Sequence, residues 1–204
     1  IKVALEEAKR IGFPVMLKAT AGGGGRGMRV LRKEEDLERV FDEAKREAKN
    51  AFGDDTVFLE KFVDDPKHIE VQIVADNHGH MVHLFERDCS VQRRYQKVVE
   101  VAPSFGLPDS VRNKIHNYAV KICKAVKYNN VGTVEFLAHP SQSAKKENTE
   151  PEWDIYFIEV NPRIQVEHTV TEMVTGIDLV KTQIFIAGGY KLSDTQIKIP
   201  SQES

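Results

Sequence analysis

Cysteine is scarce in this chain of 204 residues, which carries Cys89 and Cys123 and no others. Two thiols cannot form a disulfide framework, so a reducing, cytoplasmic setting is expected. Long apolar runs are lacking too, which excludes a membrane-spanning helix as the organising feature. No secretory signal is visible. Nor is there an excess of charge of one sign: Lys and Arg number 29 against 31 Asp and Glu, a net charge of −2. That balance gives no reason to expect a nucleic-acid or membrane partner. Any anion site must therefore come from local placement of Lys, Arg and backbone N–H groups. Internal repeats and low-complexity tracts are also missing. What is present is ordinary for a globular protein, at 41% hydrophobic and 29% charged residues. The length suits one large domain or two small ones. Ile1 is not an initiator Met, and helical spacing begins at once with Val3, Ala4, Leu5, Ala8 and Ile11. The chain is therefore expected to be a piece of a longer polypeptide, ending in a loop at 199–204.

The pattern along the chain predicts a mixed α+β protein with a largely antiparallel sheet. A first helix reaches about Arg10 and stops at Gly12. A short strand, 14–18, and a second, 28–31, flank a glycine-rich loop. Residues 33–50 read as an amphipathic helix with Leu37, Val40, Phe41, Ala44 and Ala48 on one face. A strand is expected over 56–63, and Asp64-Asp65-Pro66 marks a linker. Residues 68–75 alternate, with Ile69, Val71 and Ile73 apolar and Glu70 and Gln72 polar. Asp76-Asn77-His78-Gly79 predicts a hairpin turn with a return strand over 81–85. Pro108, Asp109 and Ser110 are expected to precede a helix that runs to about Lys127, followed by strands at 131–137 and 155–160 joined by a polar surface loop over 139–153. A last helix begins near Thr171 and stops at Gly188-Gly189.

Three features carry chemistry. Gly22 to Gly27 holds five glycines in six positions, with Arg26 inside and Lys18 just before it. Such a loop can bring backbone N–H groups close to a phosphate. The competing reading is a mobile hairpin tip. It follows a strand and precedes a strand, and lacks a Gly-Lys-Ser/Thr ending, so it is not a Walker A loop. Glu135 and Glu159 lie on separate apolar strands that can pair as a hairpin. Side by side they repel, and a divalent cation such as Mg²⁺ or Mn²⁺ would neutralise them, with Asn161 on the same face as a further oxygen ligand. The alternative is one exposed and one ion-paired carboxylate. Finally, Glu159 to His168 packs carboxylates, an amide, an arginine and a histidine into ten residues. A strand that ends in such a cluster points to a site rather than a surface.

Taken together, Lys18 with the glycine loop, Glu60-Lys61-Phe62-Val63, Glu86-Arg87-Asp88-Cys89-Ser90, the run from Gln92 to Glu100 and the stretch from Glu159 to Thr175 resemble the ATP-grasp portion of biotin carboxylase. The resemblance covers nearly the whole chain. His168 to Glu172 and Ile199 to Gln202 are similar to bacterial-type pyruvate carboxylases. It implies an ATP-grasp fold, with a glycine-rich lid subdomain over 1–63 and part of the larger C-terminal subdomain over 64–204. It implies a ligase that uses ATP and bicarbonate to carboxylate biotin through carboxyphosphate. The partners implied are a biotinylated carrier domain and a carboxyltransferase domain or subunit, in a homo-oligomeric parent enzyme. Pyruvate is the first candidate acceptor; acetyl-CoA, propionyl-CoA and urea are the others. A carbamoyl-phosphate synthetase half, or a nucleotide-binding module without turnover, is the alternative.

The resemblance also assigns residues. Lys18 would contact ATP phosphates, and Gly24 and Gly25 would cover them. Glu60, Lys61, Phe62 and Val63 would receive adenine, and His68 and Gln92 would lie near ribose and phosphates. Glu135, Glu159 and Asn161 would hold the metals. Arg163, Gln165 and Val166 would grip bicarbonate, with Lys97 nearby and Glu167 as base. Tyr95 stands where the family usually has a nucleotide-binding histidine. Of the remaining residues, Cys89 and Cys123 read as structural, Trp153 as an anchor for the long loop, and His78, His80 and His83 as hairpin packing rather than a metal triad.

Overall fold

The computed structural model describes residues 1–22, 27–141 and 152–194. Gly24 and Gly25, the expected phosphate cover, lie outside the described residues, as do most of the 139–153 loop and the 199–202 segment. The chain divides into two compact units, one of residues 1–65 with 93–96, the other of 66–92 with the remainder.

The small unit begins with α1 (Lys2–Ile11), which ends where Gly12 turns to a φ of 82° and donates its N–H to Ala8 O. Strands β1 (Val15–Ala19), β2 (Met28–Leu31) and β3 (Val57–Lys61) form an antiparallel sheet in the order β2-β1-β3. Helix α2 (Glu34–Phe52) has acidic residues in its first turn and Lys49 in its last, matching the helix dipole. It buries Leu37, Ala44 and Ala48. With Ala8, Val15, Leu17 and Leu31, Leu37 and Ala44 build one core. Strand β3 stops at Lys61, so Phe62 and Val63, expected at the end of a strand, follow it instead.

The large unit is a five-stranded sheet in the order β6-β5-β4-β7-β8. Its strands are β4 (Lys67–Ala75), β5 (Met81–Arg93), β6 (Gln96–Val101), β7 (Asn130–Pro140) and β8 (Trp153–Asn161). The return strand expected over 81–85 runs on to Arg93. Its sequence, Glu86-Arg87-Asp88-Cys89-Ser90, has too little apolar alternation to read as a strand. Strand β6 was not expected either. It returns through Arg94 and Tyr95, whose φ values of 52° and 64° make a tight two-residue connection without glycine. The turn before β5 forms as expected: Asp76 accepts the backbone N–H groups of His78 and His80, and Gly79 takes a φ of 91°.

Central strand β4 shows why the sheet has two unlike faces. Ile69, Val71 and Ile73 pack with Val111, Ile115, Ala119 and Cys123 of α3 (Asp109–Ala125) and with Val134 and Phe136. The alternate residues Glu70 and Gln72 are polar yet fully buried. Val74, next on that face, joins Leu179 and Ile186 of α5 (Leu179–Ala187) in a second apolar cluster. The predicted final helix is in fact two. Helix α4 (His168–Thr175) ends at Gly176 in the left-handed region, and α5 restarts at Asp178, whose carboxylate accepts Lys181 N–H. An Asp that caps a helix start within a continuous helical pattern breaks the single helix that periodicity alone suggests.

Candidate active site

The polar face of the large sheet carries a transverse row. Strand register places Arg87 of β5 opposite Glu70 of β4, Glu70 opposite Glu135 of β7, and Glu135 opposite Glu159 of β8. The adjacent row runs Gln72, Thr133, Asn161. One arginine and three glutamates thus lie side by side across four strands. Directly paired side chains in a sheet are close enough to interact strongly, and Glu70, Arg87 and Glu135 are all buried. The β7–β8 pairing shifts immediately after Glu135, so Phe136 meets Phe157 and Ile158 is the extra residue. The bulge sits beside the paired glutamates.

Cations and donors fill the row. Lys97 of β6 donates to Glu135 Oε1 and Glu167 Oε1 at 2.9 and 2.8 Å, and also to Glu70 Oε2. Glu135 Oε1 further accepts Asn161 Nδ2 and Gln165 Nε2, both at 2.9 Å. His68 Nε2 lies 2.6 Å from Glu135 Oε2, while Gln92 Nε2 lies 2.8 Å from His68 Nδ1. An amide donor at Nδ1 leaves the ring proton on Nε2, directed at Glu135. Burial alone would raise the Glu135 pKa, but the His68 hydrogen bond and the Lys97 charge outweigh it and bring it to about 2. Burial disfavours the charged form of Lys97, yet Glu70 and Glu135 reverse that and push its pKa up. Glu167 is likewise held below the usual carboxylate range, chiefly by Lys97 against the opposing effect of burial.

Most of the predicted site residues of the large unit are therefore brought together: His68, Gln92, Lys97, Glu135, Glu159, Asn161, Gln165 and Glu167. Asn161 also reaches Glu159 Oε1 at 3.3 Å. Arg163 is not drawn into the cluster. It is exposed and donates to the adjacent Ile164 carbonyl. Val166 is 91% exposed. In the small unit, Lys18 forms an ion pair with Glu60. Lys18 sits opposite Phe58 and Glu60 opposite Met16, which makes the two diagonal neighbours on one face. Lys61 Nζ instead bonds the carbonyls of Gly12 and Phe13. Phe62 N–H donates to Pro14 O, and Val63 follows it. Tyr95 is 46% exposed.

Two residues of the row escaped the sequence reading. Glu70 and Arg87 are fully buried and joined by an Nε–Oε1 hydrogen bond of 2.6 Å. The available signal was the strict alternation of β4, because a polar residue between Ile69 and Val71 in a central strand must be buried. The three hairpin histidines separate, as the packing reading expects: His78 meets Gly189 O, His80 meets Asp76, and His83 stacks on His116. Both cysteines are buried; burial raises their thiol pKa values, that of Cys123 to about 11. Trp153 opens β8, paired with Pro140 at the end of β7.

The model of the carbamoyl-phosphate synthase L chain ATP-binding domain matches residues 1–195, and the chain belongs to that family. Its fold is the ATP-grasp fold of biotin carboxylase domains. Pyruvate carboxylase from Staphylococcus aureus is 54% identical over 202 residues, covering 99% of this chain and 16% of that protein. Biotin carboxylase from Halalkalibacterium halodurans is 52% identical over 199 residues, covering 98% of this chain and 42% of that protein. The biotin carboxylase domain dimer of Hydrogenobacter thermophilus 2-oxoglutarate carboxylase, solved with MgADP, ADP and bicarbonate, superposes with a TM-score of 0.83 at 47% identity. That match covers 96% of this chain and 41% of the solved one. The chain thus spans well under half the length of these relatives.

Proposed function

We propose that this chain supplies the ATP-grasp part of a biotin carboxylase, which uses ATP and bicarbonate to carboxylate the biotin of a carrier domain through carboxyphosphate. Pyruvate is the preferred final acceptor, through a carboxyltransferase domain or subunit of a homo-oligomeric parent. The observation that carries the reading is the row Arg87–Glu70–Glu135–Glu159 with Lys97 shared among Glu70, Glu135 and Glu167. Counting Glu167, four carboxylates face Lys97 and Arg87, which leaves a surplus of negative charge beside the exposed Glu159. The donor set fits a hard divalent cation. Glu135 and Glu159 offer carboxylate oxygens, and Asn161, with its amide turned over, offers a third. Bound there, Mg²⁺ or Mn²⁺ would neutralise phosphate charge for phosphoryl transfer.

The remaining roles follow from the chain's own side chains. Lys18, paired with Glu60 in the small unit, contacts ATP phosphates, Gly24 and Gly25 cover them, and Glu60 to Val63 receive adenine. His68 and Gln92 orient Glu135 and face the nucleotide, and Tyr95 takes the place of the family's nucleotide-binding histidine. Arg163, with a planar fork of donors and an exposed side chain, suits a planar anion such as bicarbonate. Gln165 and Val166 complete that seat. Glu167 removes the bicarbonate proton. Its contact with Lys97 keeps it ionised beforehand, and taking up the proton requires part of that contact to loosen.

The test is biotin- and bicarbonate-dependent ATP cleavage by the full-length parent enzyme. Glu167→Gln and Arg163→Ala are each expected to reduce it to background. Wild-type turnover in either variant would overturn the assignment. A carbamoyl-phosphate synthetase half gains no support from the identities above 50% to biotin-dependent carboxylases.

A further inference from the structure

We infer that Arg87 is a positioning residue for this reaction, setting the rotamer of Glu70 and the amide orientation of Gln165 and, through them, the seats of Lys97 and Glu135. The inference rests on the function proposed above.

A guanidinium has five N–H donors in a rigid fork. Arg87, with no exposed surface, meets five acceptors from three other elements and one loop. Nε donates to Glu70 Oε1 at 2.6 Å. Nη1 donates to Gln72 Oε1 and Thr171 Oγ1, both at 2.8 Å. Nη2 donates to Gln165 Oε1 at 3.3 Å and Thr133 Oγ1 at 3.5 Å. Strands β4, β5 and β7, the start of α4 and the loop ahead of it converge on this one group.

Two of these contacts are directional in a way that bears on the site. Glu70 gives Oε1 to Arg87, which leaves Oε2 facing Lys97. Gln165 gives its amide oxygen to Arg87, so its Nε2 must point the other way, to Glu135 Oε1 at 2.9 Å. An amide whose oxygen is fixed by a cation cannot turn over without placing its NH₂ against the guanidinium. The Thr171 contact ties α4 to the sheet, and Glu167 sits at the N-terminus of that helix. Arg87 itself touches none of the groups assigned to bicarbonate or phosphate except Gln165. It acts through its neighbours. The Arg87 charge also contributes to holding Glu167 below the usual carboxylate range.

The experiment uses the full-length parent enzyme and follows biotin-dependent ATP cleavage against bicarbonate concentration and pH. Arg87→Lys keeps the charge and loses the fork; its bicarbonate KM is expected to rise about tenfold or more, and to rise more than its ATP KM. Arg87→Gln loses the charge as well, and the acid limb of its pH profile is expected to move to higher pH as Glu167 gains a proton more readily. A merely structural residue would lower turnover in proportion to the folded fraction and leave the bicarbonate KM and the acid limb in place; that result overturns the inference. Should both variants fail to fold, Thr171→Val removes one acceptor of the fork without touching an assigned residue. A bicarbonate KM about threefold higher is then expected, and an unchanged one overturns the inference. Absence of biotin-dependent cleavage in the wild-type parent overturns the functional reading and this inference together. Wild-type cleavage with unmoved variants overturns this inference alone.

Discussion

Glu86 and Arg87 are neighbours in the chain and face opposite sides of the same sheet, so β5 carries two buried ionic clusters of contrasting design. On the α3 side, Glu86 is closed. Its Oε1 accepts Ser104 N–H and Arg112 Nε, and its Oε2 accepts His116 Nε2 at 2.6 Å. One carboxylate is matched by more than enough donors, and burial, which would raise its pKa, is overcome by His116 so that it falls to about 2. On the other side Lys97 serves three carboxylates and Arg87 shares one of them, with a fourth carboxylate exposed alongside. A closed cluster holds α3 against the sheet. An unbalanced cluster stores a demand for positive charge that a ligand can meet. Buried polar networks that are fully satisfied rigidify a fold, whereas strongly perturbed ionisable groups gathered around one another are candidates for a functional site.

The largest expected effect breaks the open cluster. Glu167→Gln preserves shape and removes the proposed base, and bicarbonate-dependent ATP cleavage in the parent enzyme should fall about 10²–10⁴-fold. Thermal unfolding of the variant should change little beside that loss. Lys97→Met tests the charge surplus directly. It leaves Glu70, Glu135 and Glu167 without their shared cation, so the variant should melt lower. Added Mg²⁺ or Mn²⁺ should restore more of its Tm than it adds to the wild type. Equal metal-induced shifts in the two proteins, followed by circular dichroism, would remove the charge-surplus argument.

Breaking the closed cluster should act on stability instead. Glu86→Gln takes the charge from the partner of buried His116, while Arg112 keeps Asp109 and the Ser104 carbonyl, and loss of one partner of a buried pair costs roughly 3–5 kcal/mol. Urea unfolding reads that cost, while the bicarbonate KM of the folded parent enzyme should not move. The same group predicts a pH dependence. Glu86 and Glu135 both fall from ordinary carboxylate values to about 2 in the fold. A depressed carboxylate contributes stability that is present above its unfolded pKa and lost as pH falls through the folded one. Stability should therefore decline from about pH 4.5 toward pH 2. The decline should be shallower in Glu86→Gln. An unaltered acid-unfolding curve in that variant would show that Glu86 is not a principal contributor.

The two faces were also unequally legible in the sequence. Strands β1, β2, β4 and β7 and helices α1, α2 and α3 follow from apolar periodicity because each has one clearly apolar face. The Glu135–Glu159 pairing follows from two apolar strands and a connecting loop, and the register bears it out. Arg87 and Glu70 were not legible as a pair. Their contact is set by cross-strand register, which the sequence does not carry locally. The latter half of β5 and all of β6 were missed for a related reason. Their side chains are stabilised by ion pairs, such as Lys97 with Glu70, rather than by an apolar stripe. Arg163 lies within the most informative motif but is exposed, donating to the adjacent Ile164 carbonyl and not to the cluster.

The smallest effect concerns the helix break that periodicity hid. Gly176 ends α4 with a φ of 71°, and a Cβ built there would meet nothing within 4 Å. Gly176→Ala therefore carries only the backbone cost of a left-handed conformation, about 1 kcal/mol. Urea unfolding of the variant should show that loss, without the larger penalty of a steric clash. Because α4 begins beside Glu167 and is tied to Arg87 through Thr171, the opposite end of the helix can shift without disturbing the open cluster. The bicarbonate KM of the parent enzyme should accordingly stay within twofold of the wild type. A larger rise would mean that the cluster depends on the full length of α4 and not on the Thr171 contact alone.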